Sequence, residues 1–324
     1  MKKVKSCYEQ EVKRVAEKVN ENKGDFLFSL VADSHLDNSL PDTLANINAV
    51  DKAVNFDCLI HLGDFLNGNI PKNYTKEILK SQMSQFRESI NNKPFYPAQG
   101  NHDGYFDLLT ATDMAIDEDW AEAIGFVDGY DNVSHPEGKP YFYVDYPEKH
   151  IRLVIICSFY YTGFYEGKGF CKRYGVDERQ IEWLRKDAFN IGAEWSVMLF
   201  SHDTPFSCFD EAELFENNVR VNGNLTFKTL LECQKEHGFD VPAWFVGHFH
   251  GEYINSFFGI NFVLIGSETA YVPQLWNMPE GGFYCERELD TKTEDLWDSV
   301  VLDKAERKVR LIRFGAGEDR EISY

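Results

Sequence analysis

Asp33 and His35 stand two positions apart, as do His248 and His250, and between these pairs come Gly63-Asp64, Gly100-Asn101-His102-Asp103 and Ser201-His202-Asp203. Aspartate, asparagine and histidine supply oxygen and nitrogen donors that suit Mn, Fe, Zn or Co. No thiolate is among them to favour a structural zinc. Asp33, His35, Asp64, Asn101, His202, His248 and His250 make seven candidate ligands, too many for one ion and suited to two that share a carboxylate. Two cations about 3.5–4 Å apart can generate a metal-bound hydroxide and clamp both the attacking and the leaving oxygen of an in-line displacement. Phosphate esters are among the slowest substrates to hydrolyse in water, and they require that chemistry. Residues two apart in extended backbone face the same way, so each Asp-x-His or His-x-His pair is expected to converge on a metal without backbone strain.

Each polar cluster follows an apolar run, which gives the elements that must position it. Phe26–Ala32, Cys58–Leu62, Phe95–Ala98, Arg152–Cys157, Ser196–Phe200 and Ala243–Val246 read as strands. Leu44, Ile47, Val50 and Val54 lie at helical spacing after Pro41, as do Leu79, Met83, Phe86 and Ile90 further on. A further helix is expected over 8–20, and hairpins over 252–265 and 300–314. Strands that alternate with helices imply a largely parallel sheet, and the later hairpins add antiparallel strands. Sites in such α/β folds open beyond the carboxyl ends of strands, so five clusters at five strand ends are candidates for one crevice. We expect one mixed α/β domain over 1–324, with the acidic, aromatic stretch at about 104–150 inserted as a lid. His61, inside a strand, reads as a buried, hydrogen-bonded ring.

Composition narrows the class. The chain has 324 residues, of which 43% are apolar and 27% charged, the balance of a folded enzyme. Its formal charge is −20, so a polyanionic partner is disfavoured unless a local site reverses the sign. No run is long enough for a membrane helix, and the basic start passes into Tyr8-Glu9-Gln10-Glu11 rather than an apolar stretch. Seven scattered cysteines without a CxxC pair suggest a reducing compartment. These features lead us to expect a cytoplasmic protein with no membrane partner and no stable nucleic-acid binding.

The five motifs, in this order over 33–251, resemble the calcineurin-like metallophosphoesterase family. The resemblance implies an αββα sandwich, two packed β-sheets flanked by helices. It implies that Asp33, His35 and His250 hold one divalent metal, that Asn101, His202 and His248 hold another, and that Asp64 bridges them, with Mn the first choice over Fe or Zn. His102 is then the group that binds the phosphate or protonates the leaving group, and Asp103 orients His102. Gln180-Ile181-Glu182-Trp183-Leu184 looks like the QxxWL helix of phosphodiesterase-like and purple-acid-phosphatase-like members. Two departures from family patterns concern the substrate and the metals. Phe65-Leu66-Asn67-Gly68-Asn69 follows Asp64, with no phosphate-binding arginine as in the Ser/Thr protein phosphatases, and Phe65 stands just after Asp64 where the purple acid phosphatases have an iron-binding tyrosine. A small-molecule or nucleotide phosphoester is therefore expected, with a nuclease or a non-catalytic metal-stabilised scaffold as the rivals. The 159–174 segment gathers seven aromatics with Lys168, Lys172 and Arg173, in a chain that is otherwise strongly acidic. Lys168 and Arg173 are its candidate substrate contacts, with aromatic faces to stack a base or sugar.

Overall fold

The apolar runs form strands, and the amphipathic stretches between them form helices that cover the strands. The computed structural model describes residues 2–68, 70–91, 93–104, 110–111, 117–162, 170–205, 221–270, 278 and 280–324. From the N-terminus, α1 (Glu9–Glu21) leads to β1 (Phe26–Val31), α2 (Leu40–Val54), β2 (Cys58–His61), α3 (Lys72–Ser89) and β3 (Phe95–Pro97). Next come β4 (Thr110–Ala111), α4 (Asp117–Ile124), β5 (Val133–Ser134), β6 (Phe142–Tyr146) and β7 (Ile151–Ile155). The middle of the chain supplies β8 (Phe159–Thr162), β9 (Phe170–Tyr174), α5 (Glu178–Trp183), β10 (Ser196–Ser201), α6 (Gly223–His237) and β11 (Trp244–Val246). It closes on two hairpins, β12 (Tyr253–Phe257) with β13 (Ile260–Leu264), and β14 (Leu296–Asp303) with β15 (Lys308–Gly315), followed by β16 (Arg320–Ser323).

These strands build two mixed sheets, in the orders β16-β15-β14-β1-β2-β3 and β12-β13-β11-β10-β7-β6-β5, and a small sheet β4-β9-β8. β1, β2 and β3 run parallel, as do β7, β10, β11 and β13, while β14 to β16, β12 and β6 pair antiparallel. The sheets pack face to face. Phe28 on β1 meets Phe200 on β10 and Phe245 on β11 edge-on, at 5.7 and 5.9 Å between ring centroids. Alternation along β10 shows how one strand serves two layers. Met198 and Phe200 face the inter-sheet core, whereas Val197 and Leu199 join the outer core with Trp183, Leu184 and Leu230 under α5 and α6. α1 and α2 bury Val15, Val19, Ile47 and Val50 in the inter-sheet cluster's continuation on the first sheet. The αββα sandwich expected above is thus the observed architecture.

The stretch at 104–150 differs from expectation. Its described part beyond 117 is not a lid: β6 pairs along the whole of β7, and Trp120, Ile124, Val127, Phe142 and Val144 are buried in the central core. Exposed Glu118, Glu122 and Asp128 raise the average polarity of a segment whose other face buries Trp120, Ile124 and Val127, so an amphipathic wall reads as a loop. Within the 159–174 segment, β8 and β9 form a hairpin. Lys168 lies outside the described residues, and of Arg173 only the backbone is described.

Candidate metal centre

Five parallel strands end on one side of the sandwich, and their first loop residues meet there: Asp33 beyond β1, Asp64 beyond β2, Asn101 to Asp103 beyond β3, His202 beyond β10, and His248 and His250 beyond β11. One ligand atom from each of Asp33, His35, Asp64 and His250 lies within 4.8 Å of the others, and Asp64, His202 and His248 form a second such group. Asp64 belongs to both. Asn101 adjoins the second group, with its Oδ1 3.0 Å from His202 Nε2. All seven candidate ligands come together.

They do not converge as expected. The strands stop before the ligands, and the backbone at Asp33, His35, Asp64, His248 and His250 is left-handed, with φ of 55°, 45°, 58°, 66° and 56°. Non-glycine residues rarely adopt this region, and such strain persists only where the surroundings over-determine it. The clusters therefore reach one point through tight turns rather than through extended backbone. The motif glycines make the turns possible. A Cβ on Gly100 would lie 2.1 Å from Asp64 N and Oδ1, and one on Gly247 2.8 Å from Asp33 Oδ2.

Hydrogen bonding divides the work of each carboxylate. Asp33 Oδ2 accepts the His248 N–H at 3.1 Å, and Asp64 Oδ1 accepts the His102 N–H at 2.7 Å. The other oxygens, Asp33 Oδ1 and Asp64 Oδ2, are buried and receive no hydrogen bond. Asp33 Oδ1 lies 3.2 Å from His250 Nε2, and Asp64 Oδ2 lies 3.1 Å from His202 Nε2 and 3.8 Å from His35 Nε2. The imidazoles are oriented from behind. His35 Nδ1 donates to Leu66 O at 3.0 Å and His202 Nδ1 to Leu62 O at 2.8 Å, which aims each ring's Nε2, the atom left to take a proton or a metal, at the cluster. These nitrogens face carboxylate oxygens, and the Nε2 atoms of His35 and His250 face each other at 3.2 Å. Such a cluster of acceptors calls for a positive charge at its centre.

The protonation equilibria carry the same sign. Burial opposes charge on His202, but Asp64 and Asp33 outweigh it and push its pKa up to about 9. Burial also opposes the Asp64 carboxylate, yet His202, His102 and His35 hold its pKa well below the usual range. His248 is driven down to about 4 by burial and stays a neutral donor near neutral pH. A field that favours a proton on His202 favours a divalent cation more strongly, because the second charge doubles the attraction. The donor set fits divalent cations.

His102 stands at the rim. Its side chain is 22% exposed, its Nε2 lies 3.9 Å from Asp64 Oδ2, and its ring packs edge-on to His35 at 4.9 Å. What orients it is Asn67, whose carbonyl lies 3.0 Å from Nδ1 and so accepts the Nδ1 proton. Asp103, expected in that role, does something else. Its carboxylate accepts the N–H groups of Gly100 (2.8 Å), Asp64 (3.0 Å), Phe65 (2.8 Å) and Leu66 (3.2 Å), stapling the β2 loop to the β3 loop. Four main-chain donors occupy its oxygens, which turns it away from His102. His61 is the buried, neutral ring expected: Nδ1 accepts the Gly63 N–H, Nε2 meets Ser34 Oγ at 3.1 Å, and burial lowers its pKa to about 3.

Two contributors escaped the sequence reading. Ser267 Oγ donates to Asp33 O at 2.8 Å and Glu268 N–H to Ala32 O at 2.8 Å, clamping the first ligand loop. Ser267-Glu268-Thr269 follows the apolar run that forms β13, the same signature as the five recognised clusters, and was findable on that ground. Gln180 of the QxxWL helix receives the Cys157 N–H and donates to the Cys157 carbonyl, fixing the chain just beyond β7. From there Phe159 and Tyr174, at the base of the β8–β9 hairpin, lean over the second ligand group. Their rings lie 5.7 Å from His202 and 6.0 Å from His248 respectively.

A buried pair of carboxylates ringed by imidazoles, at the carboxyl ends of two face-packed mixed sheets, defines a metal-dependent hydrolase. The chain belongs to the calcineurin-like phosphoesterase family, whose model matches residues 27–252, and it is a phosphoester hydrolase. Among solved structures it is similar to a dimetal phosphatase from Danio rerio, with a TM-score of 0.59 and 13% identity over 93% of this chain and 100% of that one. It is also similar to a purple acid phosphatase from yellow lupin (Lupinus luteus) seeds, with a TM-score of 0.52 and 12% identity over 92% of this chain and 53% of that longer one. Comparison with curated proteins returns no match. At such identities the neighbours speak for the fold.

Proposed function

We propose that the protein hydrolyses a small-molecule or nucleotide phosphoester with two divalent cations, manganese being the first choice. Asp33, His35 and His250 would hold one cation, Asn101, His202 and His248 the other, and Asp64 both. The observation that carries this reading is the buried Asp64 Oδ2, which receives no hydrogen bond and lies between imidazoles of the two ligand groups. When bound, such cations supply Lewis acidity to the phosphoryl oxygens and bring the pKa of a water near neutrality. The chain's own residues do the rest. Asp33 and Asp64 are fixed by backbone N–H donors before substrate arrives, so little reorganisation accompanies the reaction. His102, with Nδ1 committed to Asn67, presents Nε2 to bind a phosphoryl oxygen or to pass a proton to the leaving group.

The stretch Phe65-Leu66-Asn67-Gly68-Asn69 holds no arginine, where protein phosphatases carry one after the same motif, and this supports a small substrate. Phe159 and Tyr174 over His202 and His248 support a substrate-facing role for the β8–β9 hairpin, with Lys168 and Arg173 as its cations. No helix among the described residues is long and apolar enough to cross a membrane, and we take the protein to be cytoplasmic and single-domain. The acidic surface counts against the nuclease reading, and retention of all seven donors counts against a scaffold. The test is a panel of p-nitrophenyl phosphate, its bis-ester and nucleotides with Mn²⁺, before and after chelation. We expect hydrolysis that chelation abolishes and added Mn²⁺ restores. Absence of turnover with Mn, Zn, Fe and Co alike would leave the scaffold reading. Replacing Lys168 and Arg173 together with alanine should raise KM for a nucleotide but not for the aryl phosphate.

A further inference from the structure

We propose that Glu252 is a positioning residue for the His248–His250 loop, and that it acts through a closed ring of four charges, three of them buried, that extends into the C-terminal strands. The inference rests on the metal centre proposed above. Glu252, Asp298 and Arg313 are at most 1% exposed, and the Arg320 side chain is 13% exposed. Arg313 Nη2 donates to Glu252 Oε1, and Arg320 Nη1 donates to Glu252 Oε2 at 2.7 Å. Arg320 Nη2 donates in turn to Asp298 Oδ2 at 2.5 Å, and Arg313 Nε lies 3.2 Å from Asp298 Oδ1. Two positive and two negative groups thus alternate around a ring. Asp298 and Arg313 are direct cross-strand partners on β14 and β15, and Arg320 opens β16. Only Glu252 lies inside the stretch that matches the family model, and it is the last residue of that stretch.

The ring has a mechanical consequence because of what precedes Glu252. His248 and His250 both hold left-handed backbone, and a strained loop stays in place only while its two ends are fixed. The leading end is fixed by the His248 N–H on Asp33 Oδ2 and by the Gly247 N–H on His202 O at 3.0 Å. The trailing end is fixed at Glu252. Its backbone exchanges hydrogen bonds with Phe283 at 2.8 and 3.0 Å, and its carboxylate is gripped by two guanidinium groups. Buried ion rings are weak sources of net stability compared with apolar replacements, but loss of one member leaves an uncompensated charge. The ring therefore sets geometry, and it makes β14 to β16 part of the apparatus that presents His250 to a metal.

The test measures Mn²⁺ binding to chelator-treated protein by isothermal titration, independently of turnover. Glu252→Gln should raise the Mn²⁺ Kd about tenfold, in the range seen when groups behind metal ligands are altered. Arg313→Gln should do the same, and the double variant should be no worse than either single, because both changes break one device. Leu311→Ala, a core truncation on the same hairpin, should lower Tm yet keep Kd within about twofold, separating positioning from stability. Should Arg313→Gln fail to fold, Arg320→Lys keeps the charge, loses the fork that spans two carboxylates, and should weaken Mn²⁺ binding in the same direction. Wild-type protein that binds no Mn²⁺ would refute the metal centre itself. Wild-type binding with unchanged affinity in the ring variants would overturn the positioning role alone.

Discussion

His102 is close enough to the ligand cluster to touch substrate, yet its Nδ1 is committed to the Asn67 carbonyl and its Nε2 is 3.9 Å from Asp64. His102→Ala should therefore lower kcat by about 10²–10⁴-fold, the usual worth of a positioned acid or base, while metal content stays near wild type. The defect should shrink for esters with good leaving groups, which need no proton. A defect equal for good and poor leaving groups would instead make His102 a phosphate-binding group. Residues of this kind were legible in the sequence because their chemistry is rare: donors at five strand ends, in order, have few uses other than metals. Asp103 was legible as important but not in its role. A carboxylate that serves four backbone N–H groups, three of them on another loop, leaves no mark in residue type or spacing, since its partners are main chain.

At the scale of elements, strands with both faces buried announce themselves as continuous apolar runs, and β1, β2, β7, β10 and β11 were readable for that reason. The turns beyond them were not. Extended backbone was the natural expectation for Asp-x-His and His-x-His, whereas the structure puts these residues in left-handed turns that are sustained by loop-to-loop bonds the sequence does not display. The wall at 117–146 was misjudged because its acidic face masks Trp120, Ile124 and Val127. The β2 and β3 loops approach each other closely at Gly100, and this supplies a prediction. In Gly100→Ala the new methyl would need the space held by Asp64 N and Oδ1, so activity and bound metal should both fall below about a tenth. Gly129→Ala, where a Cβ meets nothing within 4 Å, is the control and should be silent. Wild-type activity in Gly100→Ala would show that the loops can part without loss of the site.

The whole molecule is strongly acidic, and it also buries carboxyl groups outside the set of candidate metal ligands. Glu268 is the clearest case: Oε1 accepts hydroxyl protons from Ser39 and Thr43, Oε2 receives no hydrogen bond, and burial followed by Asp295 pushes its pKa up to about 8. Between the ordinary value of 4.5 and about 8, the unfolded chain has released this proton and the folded chain has kept it. The folded state binds more protons in that window, so the group erodes stability as pH rises through it. Glu268→Gln removes the titration but keeps the shape. Its Tm should match wild type at pH 5 and exceed it by about 2 °C or more at pH 8. An advantage that is constant from pH 5 to 8 would mean that the carboxyl is already ionised in the fold. The same scale contains the charge ring at Glu252, which no sequence window reveals, because its four members meet only when β14 to β16 close on the loop after β11.

The central claim, that Asp64 joins two cations in one hydrolytic centre, is tested most directly by counting metals. Wild-type protein and Asp64→Ala should be equilibrated with excess Mn²⁺, freed of unbound ion, and measured by elemental analysis alongside turnover and circular dichroism. The account predicts two Mn²⁺ per wild-type chain. For Asp64→Ala it predicts a folded chain that holds fewer than one and keeps less than about a tenth of the activity. A wild-type stoichiometry that never exceeds one, or an Asp64→Ala chain that still holds two, would contradict it.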